Sequence, residues 1–123
     1  MDANRTPDDL FYVVSVCHTK RGDQFITFWR ENNAGYAYPL SWAGKYPRCD
    51  IRQNYHNDGE ATIAVRTDAV DAIAEPTPRG WVDGDAGPIV YHNRKNWKAL
   101  LAAVITEPAK KPKPQFPPRR KAA

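Results

Sequence analysis

The sequence predicts a small α+β domain: an antiparallel meander packed by a C-terminal amphipathic helix and short helices, followed by a disordered basic tail. Three observations carry this. Residues 10–30 alternate through β-branched and aromatic side chains, the signature of strands. Trp97, Leu100, Leu101, Val104 and Ile105 fall on one stripe at helical spacing. The last 17 residues, EPAKKPKPQFPPRRKAA, carry five prolines and six basic side chains, a composition that cannot build a core. The expected organisation is a flexible leader over 1–9, one domain over 10–106 and the tail over 107–123.

The elements follow in order. Leu10 to Thr19 reads as a central strand. Leu10, Tyr12, Val14 and Val16 lie on one side and Phe11, Val13 and Cys17 on the other, so both faces need cover. Lys20–Asp23 is a turn, with Gly22 free to take positive φ. Gln24 to Arg30 returns as a second strand, and Tyr36 to Leu40 as a third that Pro39 limits. Ser41 offers a cap for one helical turn over Trp42–Lys45, which Gly44 weakens. Residues 48–54 fit neither period. Asn57-Asp58-Gly59 is a turn before a strand over Ala61–Arg66. Thr67 is placed to cap a short helix over Asp68–Ala74, ended by Pro76 and Pro78. Residues 79–88 form a Gly/Asp-rich loop, and Ile89–Tyr91 a small edge strand. The last helix starts at an Asn93 or Asn96 cap and runs to Ile105 across the sheet. Truncating Leu101 there is expected to cost about 2–5 kcal/mol.

Charge is divided unevenly. Residues 1–106 hold 12 basic and 13 acidic side chains, a balance of −1. The tail holds six basic residues against Glu107, a balance of +5, so the net +4 belongs to the tail. No apolar run approaches the length of a bilayer span, so no membrane association is expected. The leader is acidic and polar, unlike the head of a signal peptide. Cys17 and Cys49 are expected as free thiols of a cytoplasmic protein. Cys17 and His18 are neighbours on a predicted strand, which would direct them to opposite faces.

Few motifs carry chemistry. No glycine pattern matches a phosphate or dinucleotide loop, and no cofactor is expected. Cys17, Cys49, His56 and His92 lack the spacing of a zinc site. Asp83-Gly84-Asp85 opens like a calcium loop, but Arg94 stands where the bidentate glutamate belongs. His56, Asp58 and Glu60 share one turn without a nucleophile motif. Arg21-Gly22-Asp23 reads as turn chemistry, and Pro114 to Arg119 gives a weak PxxPxR match.

Binding residues are easier to nominate. Residues 25–46 hold seven of the fourteen aromatic side chains. Alternation assigns Phe25 to Trp29 mainly to the core. Tyr36, Tyr38, Trp42 and Tyr46 are then the set free to face outward and anchor a partner. Arg94, Lys95 and Lys98 gather at the start of the last helix, where cations oppose the helix dipole, a local conflict that points to binding. Lys110, Lys111, Lys113, Arg119, Arg120 and Lys121 give the tail a surface for nucleic acid or an acidic protein.

Ile26-Thr27-Phe28-Trp29, Gly35-Tyr36, Trp42-Ala43-Gly44-Lys45-Tyr46, Asn57-Asp58-Gly59 and Asn96-Trp97-Lys98-Ala99-Leu100 together resemble a group of small proteins encoded by tailed bacteriophages and prophages. The resemblance spans roughly residues 10–105. It implies a phage accessory role in the cytoplasm of a bacterial host and supplies no catalytic residues. The expected function is non-enzymatic binding of a host or phage macromolecule, most readily a protein, one version being inhibition of a host defence or host enzyme. A nucleic-acid-binding accessory protein is the alternative, and a small enzyme the third.

Overall fold

The computed structural model describes residues 10–78, 80 and 87–117. It has the α+β architecture expected: five short antiparallel strands and three helices. The strands are β1 (Leu10–Ser15), β2 (Phe28–Trp29), β3 (Tyr36–Ala37), β4 (Tyr46–Pro47) and β5 (Thr62–Arg66). The helices are α1 (Gln53–His56), α2 (Thr67–Ile73) and α3 (Arg94–Leu101). Among the described residues no helix is long and apolar enough to cross a membrane.

β1 is the hub. It pairs with β5 from Phe11↔Arg66 to Ser15↔Thr62 along one edge. Its other edge is shared in series by β2, at Val14↔Phe28, and β4, at Phe11↔Tyr46. β3 adds to β2 through Phe28↔Ala37 and Trp29↔Tyr36.

The predicted second strand changes partner midway. Ile26 N donates to Val90 O (2.9 Å) and His92 N to Gln24 O (2.9 Å), so its first half pairs with residues 90–92. Only Phe28 and Trp29 join the sheet as β2. The expected helical turn over Trp42–Lys45 is instead a pair of tight turns, with Trp42 N on Pro39 O and Ala43 N on Leu40 O. Gly44 explains the tightness. Its N–H reaches Trp29 O (2.9 Å), and a Cβ there would lie 2.7 Å from the Glu31 backbone. No larger residue fits without moving one of the two segments.

Strand pairing also shortens the last helix. Asn93 is the cap, its side chain accepting from Asn96 N at 2.7 Å. After Leu101 the chain turns to close the free edge of β5. Arg66 N donates to Ala103 O (3.2 Å), Ile105 N to Ala64 O (2.9 Å), and Val104 bridges Val65. Val104 still packs against the core cluster, and both Val104 and Ile105 lie on a sheet edge, where β-branched residues fit well. Leu100 is fully buried and Leu101 only partly. The large cost of truncation therefore moves by one residue. Leu100→Ala is expected to cost about 3 kcal/mol in denaturant unfolding, and Leu101→Ala about 1 kcal/mol.

Both faces of β1 are covered, as its double alternation requires. Tyr12, Val14 and Val16 pack with Phe28, Ile63 and Val65 under Val70, Trp97 and Leu100 from α2 and α3. Tyr12 also donates its hydroxyl to Asp71 Oδ1 (3.1 Å). Burial, with the Asp71 charge and this bond in support, pushes the Tyr12 phenol far above its ordinary value. The opposite face, with Phe11, Val13 and Ser15, is closed by residues 48–57. Arg48 lies 5.1 Å over the Phe11 ring, and Trp29 meets both Tyr55 (5.2 Å) and His56 (5.7 Å). The segment without a clear period is thus the second cover.

The tail requires a correction. Residues 107–117 have no helix or strand, in keeping with their prolines, but they are held against the domain. Lys110 N donates to Asp58 O (2.8 Å), and Gln53 Nε2 to Glu107 O (2.8 Å). Further on, Gln115 O lies 2.9 Å from His92 Nε2, and Phe116 sits 4.8 Å beneath the Arg94 guanidinium. Gly59 permits this approach. At φ +94° it carries no side chain, and a Cβ would lie 1.7 Å from Lys110 O. Composition misled because proline and lysine lower a segment's ability to form a core, not its ability to lie along one already formed.

Candidate functional site

Three of the four nominated aromatics line one cleft. Tyr36, Tyr38 and Trp42 surround a volume of about 370 Å³ together with His18, Arg30 and Pro39. β3 delivers Tyr36 through its pairing with Trp29, and the tight turn after Pro39 presents Trp42. Tyr36 is 46% exposed and Trp42 37% exposed. Their surroundings hold them in place. The Arg30 guanidinium lies 4.9 Å over the Trp42 ring, while its Nε donates to Tyr36 O (3.0 Å). The His18 ring stands 4.4 Å from that of Tyr36. Tyr38 is half-buried with its edge against Phe25 at 5.5 Å. Burial raises its phenol above the ordinary value, the Asp23 charge adds to this, and a hydrogen bond with Thr27 opposes it. The lining holds one cationic side chain, Arg30, and no carboxylate.

Tyr46 does not belong to this surface. It is 7% exposed, donates its hydroxyl to Arg30 O and accepts from Asn33 N (3.1 Å). Its phenol is raised chiefly by burial. The cross-strand pair with Phe11 turns it inward, so it braces the loop that carries Arg30. Tyr55, 48% exposed beside Trp29, is an outward aromatic that sequence reasoning missed. Its position in an aperiodic stretch gave no alternation to follow.

The basic residues lie elsewhere. Arg94, Lys95 and Lys98 are exposed on α3, and none lines the cleft. Arg94 stacks on Phe116, a tail-holding contact. Lys110 pairs with Glu60 at 2.9 Å on an open surface, and that hydrogen bond raises its ammonium above the ordinary value. Such exposed pairs contribute little to stability. Lys111 and Lys113 are exposed. Arg119, Arg120 and Lys121 lie outside the described residues, as do Asp83 and Asp85.

A second, polar hollow of about 660 Å³ adjoins His56, Tyr46, Asn33 and Cys49. His56 does not meet Asp58 and Glu60 as an acid–base group. Its Nδ1 accepts from Arg52 N (2.9 Å), which leaves the proton on Nε2, 3.1 Å from Asn33 Oδ1. The Asp58 carboxylate accepts from Ala61 N (2.8 Å) and Thr62 N (3.0 Å), and Glu60 holds Lys110. Among the described residues no three His, Cys, Asp or Glu side chains gather as a metal site. Burial lowers the His56 imidazole below its ordinary 6.5, the Arg52 charge adds to this, and Asp50 opposes it. The unfolded chain therefore binds this proton more readily than the folded one. Stability from His56 is present above the unfolded value and is lost as pH falls below about 6.5. Unfolding free energy is expected to fall between pH 7.5 and 5.5, with a smaller fall in His56→Gln. Denaturant titrations at both pH values check it, and equal slopes in the two proteins would refute the assignment.

Cys17 and His18 also depart from expectation. β1 ends at Ser15, so the two residues sit in a turn and make contact, Sγ to Nδ1 at 3.2 Å. Ser15 Oγ lies 3.1 Å from the same nitrogen.

The chain matches no family model, no curated protein and no solved structure. The functional reading therefore rests on the geometry of the cleft.

Proposed function

We propose that the protein is a non-enzymatic binding module that docks a protein partner on the cleft formed by Tyr36, Tyr38 and Trp42. The observation that carries this is the exposure of Tyr36 and Trp42 while the Arg30 guanidinium lies over the Trp42 ring and bonds the Tyr36 carbonyl. Tyr, Trp and Arg dominate the energetic centres of interfaces, and side chains already held in place lose little entropy on binding. With the phage resemblance, the partner is a host or phage protein in the bacterial cytoplasm, and blocking a host enzyme or defence factor is one form the activity takes.

A second reading has its own support: exposed Lys95, Lys98, Lys111 and Lys113 suit a phosphate backbone. A pull-down from host lysate, with and without nuclease, separates the two. The wild-type chain is compared with Trp42→Ala and with a chain carrying Lys111→Gln and Lys113→Gln and lacking residues 118–123. Residues 107–117 are kept because they are anchored to the domain. Capture that survives nuclease and is lost with Trp42→Ala supports protein docking. Capture lost with nuclease or charge removal, and retained by Trp42→Ala, supports nucleic acid.

A further inference from the structure

We infer that Cys17 is a reactive thiol, served by His18 as its proton acceptor and modified by small-molecule disulfides. The inference does not rest on the proposed docking of a protein partner. A cysteine becomes nucleophilic when a base lies within reach of its proton and the base is itself held in position. Both conditions are met. Cys17 Sγ is 3.2 Å from His18 Nδ1, and the thiol is partly exposed. The imidazole is held on two sides: Ser15 Oγ shares the same Nδ1 at 3.1 Å, and the ring lies 4.4 Å from that of Tyr36. His18 lines the 370 Å³ cleft, so there is open volume beside the imidazole, and the partly exposed Cys17 adjoins it in the chain.

The chain contains its own control. Cys49 is more exposed than Cys17, yet its sulfur faces a carboxylate, Asp50 Oδ1 at 3.8 Å. A carboxylate is a poor proton acceptor for a thiol and repels an anionic disulfide, whereas an imidazole accepts the proton as the sulfur attacks. Exposure and chemistry therefore rank the two thiols in opposite orders.

The step is thiol–disulfide exchange. Cys17 Sγ attacks one sulfur of a disulfide RS–SR, and its proton passes to His18 Nδ1. A new Sγ–S bond forms, the RS–SR bond breaks, and RS⁻ leaves with the electron pair. Cys17 is oxidised to the mixed disulfide and one half of the reagent is reduced. Glutathione disulfide is the physiological member of this class, and an aromatic disulfide such as 5,5′-dithiobis(2-nitrobenzoate) reports the same chemistry by colour.

The test measures site-specific rates on the full chain with both reagents, by peptide mass spectrometry. At pH 7, Cys17 is expected to react about tenfold faster than Cys49 despite its lower exposure. His18→Gln is expected to remove that advantage and leave the Cys49 rate unchanged. The Cys17 to Cys49 ratio should shrink above about pH 9.5, where thiols ionise without help. The inference is overturned if Cys49 is the faster site at pH 7, if folded His18→Gln keeps the Cys17 rate, or if the ratio is constant with pH. Should His18→Gln fail to fold, the wild-type rates and their pH profile decide alone.

Discussion

Asn57→Ala is expected to lower the unfolding free energy by about 4 kcal/mol. The Asn57 side chain is fully buried and joins three parts of the chain. Its Oδ1 accepts from Ala64 N on the outer edge of β5 (3.0 Å). Its Nδ2 donates to Gln53 Oε1 in α1 (3.2 Å) and to Thr106 O beyond α3 (3.0 Å). Alanine would leave the buried Ala64 N–H without its partner, at about 1–3 kcal/mol, and would also remove the Thr106 and Gln53 bonds and open a cavity. The effect should not stay local, because Ala64 O receives Ile105 N on the same edge. Losing the clasp loosens the segment that closes β5 and the start of the docked tail. Denaturant unfolding, with amide exchange at Ala64 and Ile105, reads both consequences. A loss below about 1 kcal/mol would show that water replaces the side chain at little cost.

Trp97→Ala is expected to cost about 4 kcal/mol, whereas Trp97→Phe should cost about 1 kcal/mol. Trp97 is fully buried at the centre of the cluster beneath α3. Alanine leaves a cavity between α3 and the sheet. Phenylalanine leaves a smaller one, and both variants remove an indole N–H that has no hydrogen-bond partner among the described residues. Burying an unpaired donor is itself unfavourable, so its loss offsets part of the cavity cost in both variants, and the difference between them reads the cavity. Equal losses in the two would mean that indole shape, rather than buried area, holds α3 in place.

Local signals were legible in the sequence where one periodicity or one cap controlled the outcome. The double alternation of residues 10–16 marked β1 as the strand covered on both faces. The Asn93 cap and the positions of Trp97 and Leu100 placed α3. The sequence could not show where one segment would exchange one partner for another. Gln24–Ile26 pairs with residues 90–92 before Phe28 joins β1, and Val104 leaves helical spacing to meet Val65. Both outcomes depend on which sheet edges remain free, a property of the assembled fold. The site divides in the same way. Tyr36, Tyr38 and Trp42 were recognisable by their density around Pro39 and Gly44. Tyr46 was not separable from them, because its burial follows from the β1–β4 register and from the hydroxyl contacts with Arg30 and Asn33.

The most direct test of the cleft as a docking surface is the affinity of the captured partner for Trp42→Ala, measured by calorimetry against wild type. Circular dichroism and thermal unfolding first establish that the variant keeps the fold, as its exposed ring allows. Docking on the cleft predicts at least about a thirtyfold loss, since a hot-spot aromatic contributes about 2 kcal/mol or more. An affinity within about twofold of wild type, in a chain that remains folded, would contradict the account.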